Sequence, residues 1–418
     1  MNIVIFLSDD HSTSDTGCYG NESIRTPNID SLASDGMMFN RAFTPTAMCA
    51  PSRSCMYTGL FPHRNGCHMN HGRVFDGTRS LPHYLQPLDY RVALAEKRHI
   101  APASAFPFEY IAQRDVPGFL DDAGGDPFCL VIASNQPHTP HEGGGFSPDE
   151  VPIHPFQVDT PEMRQTQADY YTDIEKCDRE VGEALSALDR RGLTDDTLFI
   201  YASDHGYGIF AKWSCYEAGL RVPFIARWPG RIAPGSITDA MVSFADVVPT
   251  CIEIAGGDPP TDIDGRSILP VLLGDADTHR DVIYGAHTTN GIIAGSVFPI
   301  RSVRTETHKY IRNLNHGGEF TNIMTHPPEG NPHEDGRLCR SWVEKAKSDD
   351  FAAQRVALHQ RRPAEELYDL RADPWELTNL ADDPTHALTA LRALLDDWMA
   401  QQSDAGLDAE LAVPPRQS

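Results

Sequence analysis

Five consecutive residues, Cys49-Ala50-Pro51-Ser52-Arg53, set a sulfur and a guanidinium four positions apart, and Thr58-Gly59 closes the segment. In a helix that spacing puts both side chains on one face. Pro51 suits a first helical turn, where its missing N–H costs little, so the spacing predicts Cys49 at a helix N-terminus. Free N–H groups and the positive end of the helix dipole there favour a developing alkoxide or a bound sulfate. Arg53 can fork to an anionic oxygen. A cysteine taken alone is more often a buried, inert thiol, and catalytic cysteines are the minority. Four further segments shift that balance.

Each of those segments follows an apolar run that reads as a β-strand. Asn2–Ser8 runs into Asp9-Asp10, and Tyr90–Ala95 into Glu96-Lys97-Arg98-His99. Phe128–Ser134 runs into Asn135-Gln136-Pro137-His138, and Thr197–Ser203 into Asp204-His205-Gly206. In open α/β sheets ligands bind beyond the carboxyl ends of the strands. Four polar strand ends therefore predict one shared site.

Asp9, Asp10 and Asp204 would bring three carboxylates together, and such a cluster repels itself unless a cation sits among them. Hard oxygen ligands suit calcium or magnesium. His205 is the exception in the set, since a nitrogen ligand could favour another divalent ion such as manganese. Asp9 and Asp10 could instead cap a helix; the second acidic strand end at Asp204 favours the metal. Lys97 and Lys212 supply positive charge, although a single lysine is usually a solvated surface group. His99 and His138 could exchange protons.

The elements that must hold these residues are legible from pattern. Alternating short apolar runs and amphipathic stretches predict an α/β fold with a large, mostly parallel sheet flanked by helices. Thr26-Pro27 starts a helix that Gly36 ends. Gln167–Arg191 predicts another, with an apolar stripe of Tyr170, Ile174, Cys177, Val181, Leu185 and Leu188, read as core. Segments 135–161 and 255–275 read as long loops. We place a catalytic domain at 1–280 and a smaller α+β subdomain at 281–418. In the latter, Ile300–Val303, Lys309–Arg312 and the run from Glu366 read as strands of a small antiparallel sheet. Ala387–Gln401 reads as a packed helix carrying Leu388, Leu391, Leu394, Leu395 and Trp398.

With 418 residues, 40% hydrophobic and 22% charged, the composition is that of an ordinary globular chain. No stretch reaches the length of a membrane span, and no membrane partner is expected. The net charge of −24 argues against nucleic-acid binding and demands a locally basic pocket for an anionic substrate. Nine irregularly spaced cysteines, with no CxxC pair, read as mostly reduced. With Met1 as the native start, no signal peptide is visible and the chain reads as cytoplasmic. A removed leader would make it periplasmic or secreted.

Cys49-x-Pro51-Ser52-Arg53 with Thr58-Gly59 resembles the signature of the type I sulfatases, within the alkaline phosphatase superfamily. The other segments fall in that family's order: Asp9-Asp10, Lys97-x-His99, Pro137-His138, Asp204-His205-Gly206 and Lys212. So does a late run, Glu366–Asp369, Asp373-Pro374, Glu376 and Asn379-Leu380-Ala381. The resemblance implies that a formylglycine-generating enzyme oxidises Cys49 to formylglycine, whose hydrate attacks sulfur in line. It implies Asp9, Asp10, Asp204, His205 and the oxidised Cys49 as holders of a divalent metal, with calcium first and magnesium or manganese as alternatives. It implies that Arg53 stabilises the hydrate, that Lys97, His138 and Lys212 hold the sulfuryl oxygens and help the leaving group, and that His99 deprotonates the second hydroxyl.

Within the family, Gly59–Gly66, Arg79–Pro82, and Lys97-Arg98-His99 with Pro102 and Phe106-Pro107-Phe108 look most like the N-sulfoglucosamine sulfohydrolases. Arg301-Ser302-Val303 and Asn313-Leu314-Asn315 add to this. Leu60, Glu96 and His205 depart from the commoner family residues, which are arginine, glycine and asparagine. The implied partner is a sulfated carbohydrate or another small sulfate ester, and homo-oligomerisation is left open. His71, His287 and Asn315 are candidate substrate-binding residues. Two other readings stand beside the sulfatase: a phosphonate or phosphate ester hydrolase on the same scaffold, and a non-catalytic protein that binds sulfated glycans.

Overall fold

A computed structural model describes residues 1–289, 291–326, 334–383 and 386–412. Its main sheet has eight strands in the spatial order Ser236–Thr238, Met37–Phe39, Phe224–Arg227, Thr197–Ser203, Asn2–Ser8, Phe128–Ala133, Arg91–Glu96 and Glu109–Ile111. Phe224–Arg227 runs antiparallel to both neighbours, and every other pair is parallel. The sheet is mixed and mostly parallel, as expected from the alternating pattern.

Central strands of such a sheet are buried on both faces and read as continuous apolar runs. Asn2–Ser8 is buried at every position. Ile3, Ile5 and Leu7 face a core that includes Met56, Tyr57 and Val248, from helices Cys49–Thr58 and Val247–Ile254. Val4 and Phe6 face the opposite core, with Ile29 and Leu32 of helix Pro27–Ser34 and Cys177 and Val181 of helix Pro161–Asp189. The two-residue side-chain period of a strand thus sends alternate residues into two helix layers.

Registry brings the polar strand ends to one level. Leu7 lies beside Ala133, Ser8 beside Ser203, and Glu96 beside Ala133. Backbone bonds continue the ladders past the strands: Asp204 N–H to the Ser8 carbonyl at 3.1 Å, Asp9 N–H to the Gln136 carbonyl at 2.9 Å, and Lys97 N–H to the Ala133 carbonyl at 3.0 Å.

A second, antiparallel sheet is formed by Ile283–His287, Ile300–Arg304, His308–Asn313 and Glu365–Asp369. Helix His386–Gln401 packs on it through Leu388, Leu391, Leu395 and Trp398, all buried with Val303, Tyr310 and Leu367. Among the described residues no helix is long and apolar enough to cross a membrane.

The elements depart from expectation in definite places. The long helix begins at Pro161, six residues early, where the Thr160 side chain accepts the Met163 N–H at 3.1 Å. The six residues it gains before Gln167 lack the apolar stripe because only Met163 among them is buried. Segment 135–160 contains no helix or strand, whereas 255–275 includes the short helix Leu269–Leu272. Strand Ile283–His287 and helices Glu334–Lys345 and Asp350–Gln360 were not expected.

Candidate active site

Helix Cys49–Thr58 is buried at all ten positions, and no side chain caps its start at Met48. Cys49 is its first residue. Gly59 ends it in the left-handed conformation, with φ of 72°, and donates its N–H to the Cys55 carbonyl at 2.9 Å. Glycine takes that conformation at no steric cost. The helix points its N-terminus at the carboxyl ends of the central strands.

Cys49 Sγ lies 3.6 Å from Asp9 Oδ1 and 3.4 Å from His205 Nε2. Arg53, one turn on, is fully buried, and its Nε and Nη2 both lie 3.0 Å from Asp204 Oδ2. Its Nη2 is also 3.6 Å from Asp9 Oδ1. The other Asp204 oxygen accepts the N–H groups of Asp10 and His205 at 3.0 and 2.9 Å.

Asp9 and Asp10 divide their oxygens in the same way. Asp9 Oδ2 contacts Lys97 Nζ, and Asp10 Oδ2 lies 2.6 Å from Lys212 Nζ. Lys212 Nζ is in turn 3.3 Å from His138 Nε2. Asp10 Oδ1 is buried with no hydrogen-bond donor, 3.1 Å from His205 Nε2. His205 Nδ1 lies 2.9 Å from the Gly206 carbonyl, which can only accept, so we assign the ring proton to Nδ1. The lone pair of Nε2 therefore faces the bare oxygen of Asp10, an arrangement that suits a cation between them.

Two carboxylate–thiol–imidazole sets and one tricarboxylate set converge here: Asp9, Cys49 and His138; Asp10, Cys49 and His205; Asp9, Asp10 and Asp204. In each set the candidate ligand atoms lie within 4.8 Å of one another. Burial alone would raise Asp10 and Asp204. The Lys212 ammonium overcomes it at Asp10 and the Arg53 guanidinium does so at Asp204, so both carboxyls are held far below the usual range. Burial and the adjacent Asp204 win at Asp9 and raise it despite Lys97 and Arg53. A bound cation would relieve that strain. Burial also pushes the Cys49 thiol up, against the pull of Lys97.

Lys212 lies on the loop after Asp204, and Trp213 N–H bonds the Ala47 carbonyl at 3.0 Å, tying that loop to the start of the cysteine helix. Lys212 and then burial lower His138. Burial and then Lys97 push His99 down to about 3.

Ten of the candidate residues thus gather around one strand-end cluster: Asp9, Asp10, Cys49, Arg53, Lys97, His99, His138, Asp204, His205 and Lys212. His71 meets His99, with Nδ1 2.9 Å from His99 Nε2. His287 lies elsewhere, buried with its ring 5.9 Å from that of Phe320. Asn315 donates to the Val297 carbonyl at 2.6 Å, which holds its own loop.

Two supporting residues escaped the sequence reading. Ser52 Oγ donates to the Asp204 carbonyl at 2.7 Å. Tyr170 belongs to the apolar stripe of the long helix, yet its hydroxyl donates to the Asp10 carbonyl at 2.8 Å and accepts the Ser12 N–H at 2.9 Å. The available signal was a tyrosine in an otherwise apolar stripe, because a buried phenol needs a partner.

Known proteins match nearly the whole length of this chain. A family model described as Sulfatase matches residues 1–115 and 112–257, and one described as N-sulphoglucosamine sulphohydrolase, C-terminal, matches 205–334. An ulvan-active sulfatase from Formosa agariphila is 35% identical over 99% of this chain and 82% of its own length. Human N-sulphoglucosamine sulphohydrolase is 26% identical over 96% of this chain and 90% of its own length. A solved structure, described as a complex with its substrate D-glucosamine-2-N,6-O-disulfate, superposes with a TM-score of 0.75 at 21% identity and shares the fold over 97% of this chain and 99% of that one. The first family model spans more than half of the sequence and contains the cysteine helix and all three carboxylates, so the chain belongs to the sulfatase family.

Proposed function

We propose that this sulfatase hydrolyses the sulfate ester or sulfamate of a sulfated sugar, of the N-sulfoglucosamine or related glycan type, through a formylglycine made from Cys49. The seat of Cys49 carries the proposal. It opens a buried helix above Arg53, between Asp9 and His205. Burial keeps its thiol protonated, and a neutral thiol is a poor nucleophile. The encoded side chain is therefore a precursor, and an enzyme of the formylglycine-generating class would supply the aldehyde. The hydrated aldehyde supplies one hydroxyl to attack sulfur in line and a second whose deprotonation expels sulfate and restores the aldehyde.

Asp9, Asp10, Asp204 and His205, with the oxidised residue 49, would hold a divalent cation that polarises the sulfuryl group and the attacking hydroxyl. Three carboxylate oxygens favour calcium, and the imidazole makes magnesium and manganese the ions to compare.

The chain's own cations match a sulfate. Arg53, Lys97 and Lys212 offset the charges of Asp9, Asp10 and Asp204. Adding a dication makes the pocket net positive inside a chain of charge −24. Arg53 orients residue 49 from one turn below. Lys97 and Lys212 hold the sulfuryl oxygens. His138 Nε2, 3.3 Å from Lys212 Nζ, can take a proton from that ammonium and pass it to the departing oxygen or nitrogen. His99, neutral at working pH, takes the proton of the second hydroxyl.

The sugar assignment is supported by the names of the two relatives and by the C-terminal family match at 205–334. The test uses protein co-produced with a formylglycine-generating enzyme. The peptide Ala42–Arg53 should show the thiol-to-aldehyde mass deficit. Sulfate should be released from N-sulfoglucosamine or glucosamine 6-sulfate and not from the Cys49→Ala variant. Chelation should stop the reaction and calcium restore it. An unmodified thiol in a protein that prefers phosphate monoesters would overturn the proposal.

A further inference from the structure

His99 and His71 form a pair of imidazoles outside the carboxylate cluster. His99 Nε2 lies 2.9 Å from His71 Nδ1, with ring centroids 4.6 Å apart. Two separate loops deliver them, and the Val74 N–H ties these loops by bonding the Ala101 carbonyl at 2.8 Å. Both histidines have left-handed backbone, with φ of 44° at His99 and 58° at His71. That region is uncommon for residues with a Cβ. Such strain persists where the surroundings enforce it, and it clusters at functional sites. Here it twice turns an imidazole toward the same contact.

His99 is two residues beyond Lys97, whose Nζ contacts Asp9. Its ring is half-buried, and His71 is exposed. A neutral imidazole has one donor nitrogen and one acceptor, and the hydrogen bond made by one nitrogen sets the state of the other. Burial and Lys97 keep His99 neutral, so its neighbour decides which nitrogen carries the proton. Among the described residues no hydrogen bond engages His99 Nδ1.

We propose that His71 is a positioning residue that grips His99 through Nε2, fixing its ring and tautomer so that Nδ1 is the nitrogen left to exchange a proton during sulfate release. This rests on the role given to His99 above, and it assigns His71 to the catalytic step rather than to sugar binding.

The experiment compares wild type, His71→Ala and His71→Asn as full-length, aldehyde-bearing, calcium-loaded proteins. An asparagine amide oxygen can replace His71 Nδ1 as the acceptor of the His99 Nε2–H, which leaves the His99 Nδ1 lone pair to take the proton. Ring ¹⁵N shifts of His99 report its tautomer without turnover: wild type and His71→Asn should show one fixed tautomer, and His71→Ala a mixture. With N-sulfoglucosamine or glucosamine 6-sulfate, whichever wild type hydrolyses, His71→Ala should lose about 10- to 100-fold in kcat, the usual scale for removing an orienting partner. KM should stay within about twofold, the pattern of an interaction made only in the transition state. His71→Asn should recover most of the rate. An unchanged His99 tautomer in His71→Ala overturns the inference, as does unchanged kcat. A rise in KM alone, unrescued by asparagine, makes His71 a substrate contact and overturns it too. Wild type that releases no sulfate while keeping the fixed tautomer marks failure of the functional reading instead.

Discussion

A lysine at position 53 would keep the charge and lose the fork. Arg53 sends Nε and Nη2 to one oxygen of Asp204 while Nη2 also lies 3.6 Å from Asp9. A planar guanidinium can serve two acceptors at fixed angles, whereas an ammonium is a compact point charge on a flexible stem. Arg53→Lys should therefore fold and retain the metal, because the charge balance survives. Its kcat, normalised to the aldehyde content at residue 49, should fall about 10- to 100-fold, the value of one charge-assisted hydrogen bond. Arg53→Ala should instead lose about 3–5 kcal/mol of stability in urea unfolding, since it leaves a buried carboxylate uncompensated. Equal rates in wild type and Arg53→Lys would show that only the charge at position 53 matters.

The turn after strand Thr197–Ser203 works by close backbone approach. Gly206 donates its N–H to the Gly219 carbonyl at 3.0 Å, and a Cβ added to Gly206 would come within 1.9 Å of the Ala218 carbonyl oxygen. No side chain can move aside there, because the obstacle is backbone. Gly206→Ala must push the Asp204-His205 strand end away from helix Glu217–Leu220. The expected cost is about 1–3 kcal/mol, as for overpacking elsewhere, with weaker metal retention after dialysis. Wild-type stability and metal content in Gly206→Ala would mean that the turn can give. The strand ends themselves were legible because continuous apolar runs ending in Asp, Lys and His have few alternative readings. The registry that brings Asp9, Lys97 and Asp204 level follows from parallel pairing, which sequence pattern implied without specifying neighbours. Strand Ile283–His287 stayed hidden because its run Ile-Tyr-Gly-Ala-His is short and carries a glycine. Helix Asp350–Gln360 stayed hidden because only Ala352, Arg355 and His359 are buried on it, so no apolar stripe marks it. Tyr170 and Ser52 were visible as residues. Their bonds to the carbonyls of Asp10 and Asp204 arise only when distant segments pack, which no local pattern records.

Across the whole molecule, a buried ionic cluster fastens the small sheet to the main one. Glu217 of helix Glu217–Leu220 lies 3.1 Å from Lys309 and 3.4 Å from Arg304, both on the small sheet. Glu376 accepts the Glu217 N–H at 2.6 Å and lies 3.7 Å from Lys309. Two carboxylates here compete for Lys309, and the shorter contact together with Arg304 decides for Glu217. Burial would raise Glu217, but Lys309 and then Arg304 hold it down to about 2. Burial raises Glu376 to about 8, with Lys309 opposing and Glu217 adding to the rise. The folded protein therefore binds a proton at Glu376 that the unfolded chain, with a carboxyl near 4.5, has already released. Stability falls with rising pH wherever the native state binds more protons. The loss through Glu376 must begin above its unfolded value and be complete once pH passes about 8. Glu217 does not confuse this window, because its contribution is lost only in acid, as pH falls from its ordinary value through about 2. Glu376→Gln keeps an oxygen for the Glu217 N–H and cannot ionise. Its unfolding free energy relative to wild type should rise between pH 5 and pH 8.5 by an amount of the order of a few kcal/mol, and then level off. Urea titrations of both proteins at fixed ionic strength and saturating calcium would measure it. A constant difference across that range would mean that Glu376 ionises in the folded protein as readily as in the unfolded chain, and that Lys309 compensates both carboxylates at once.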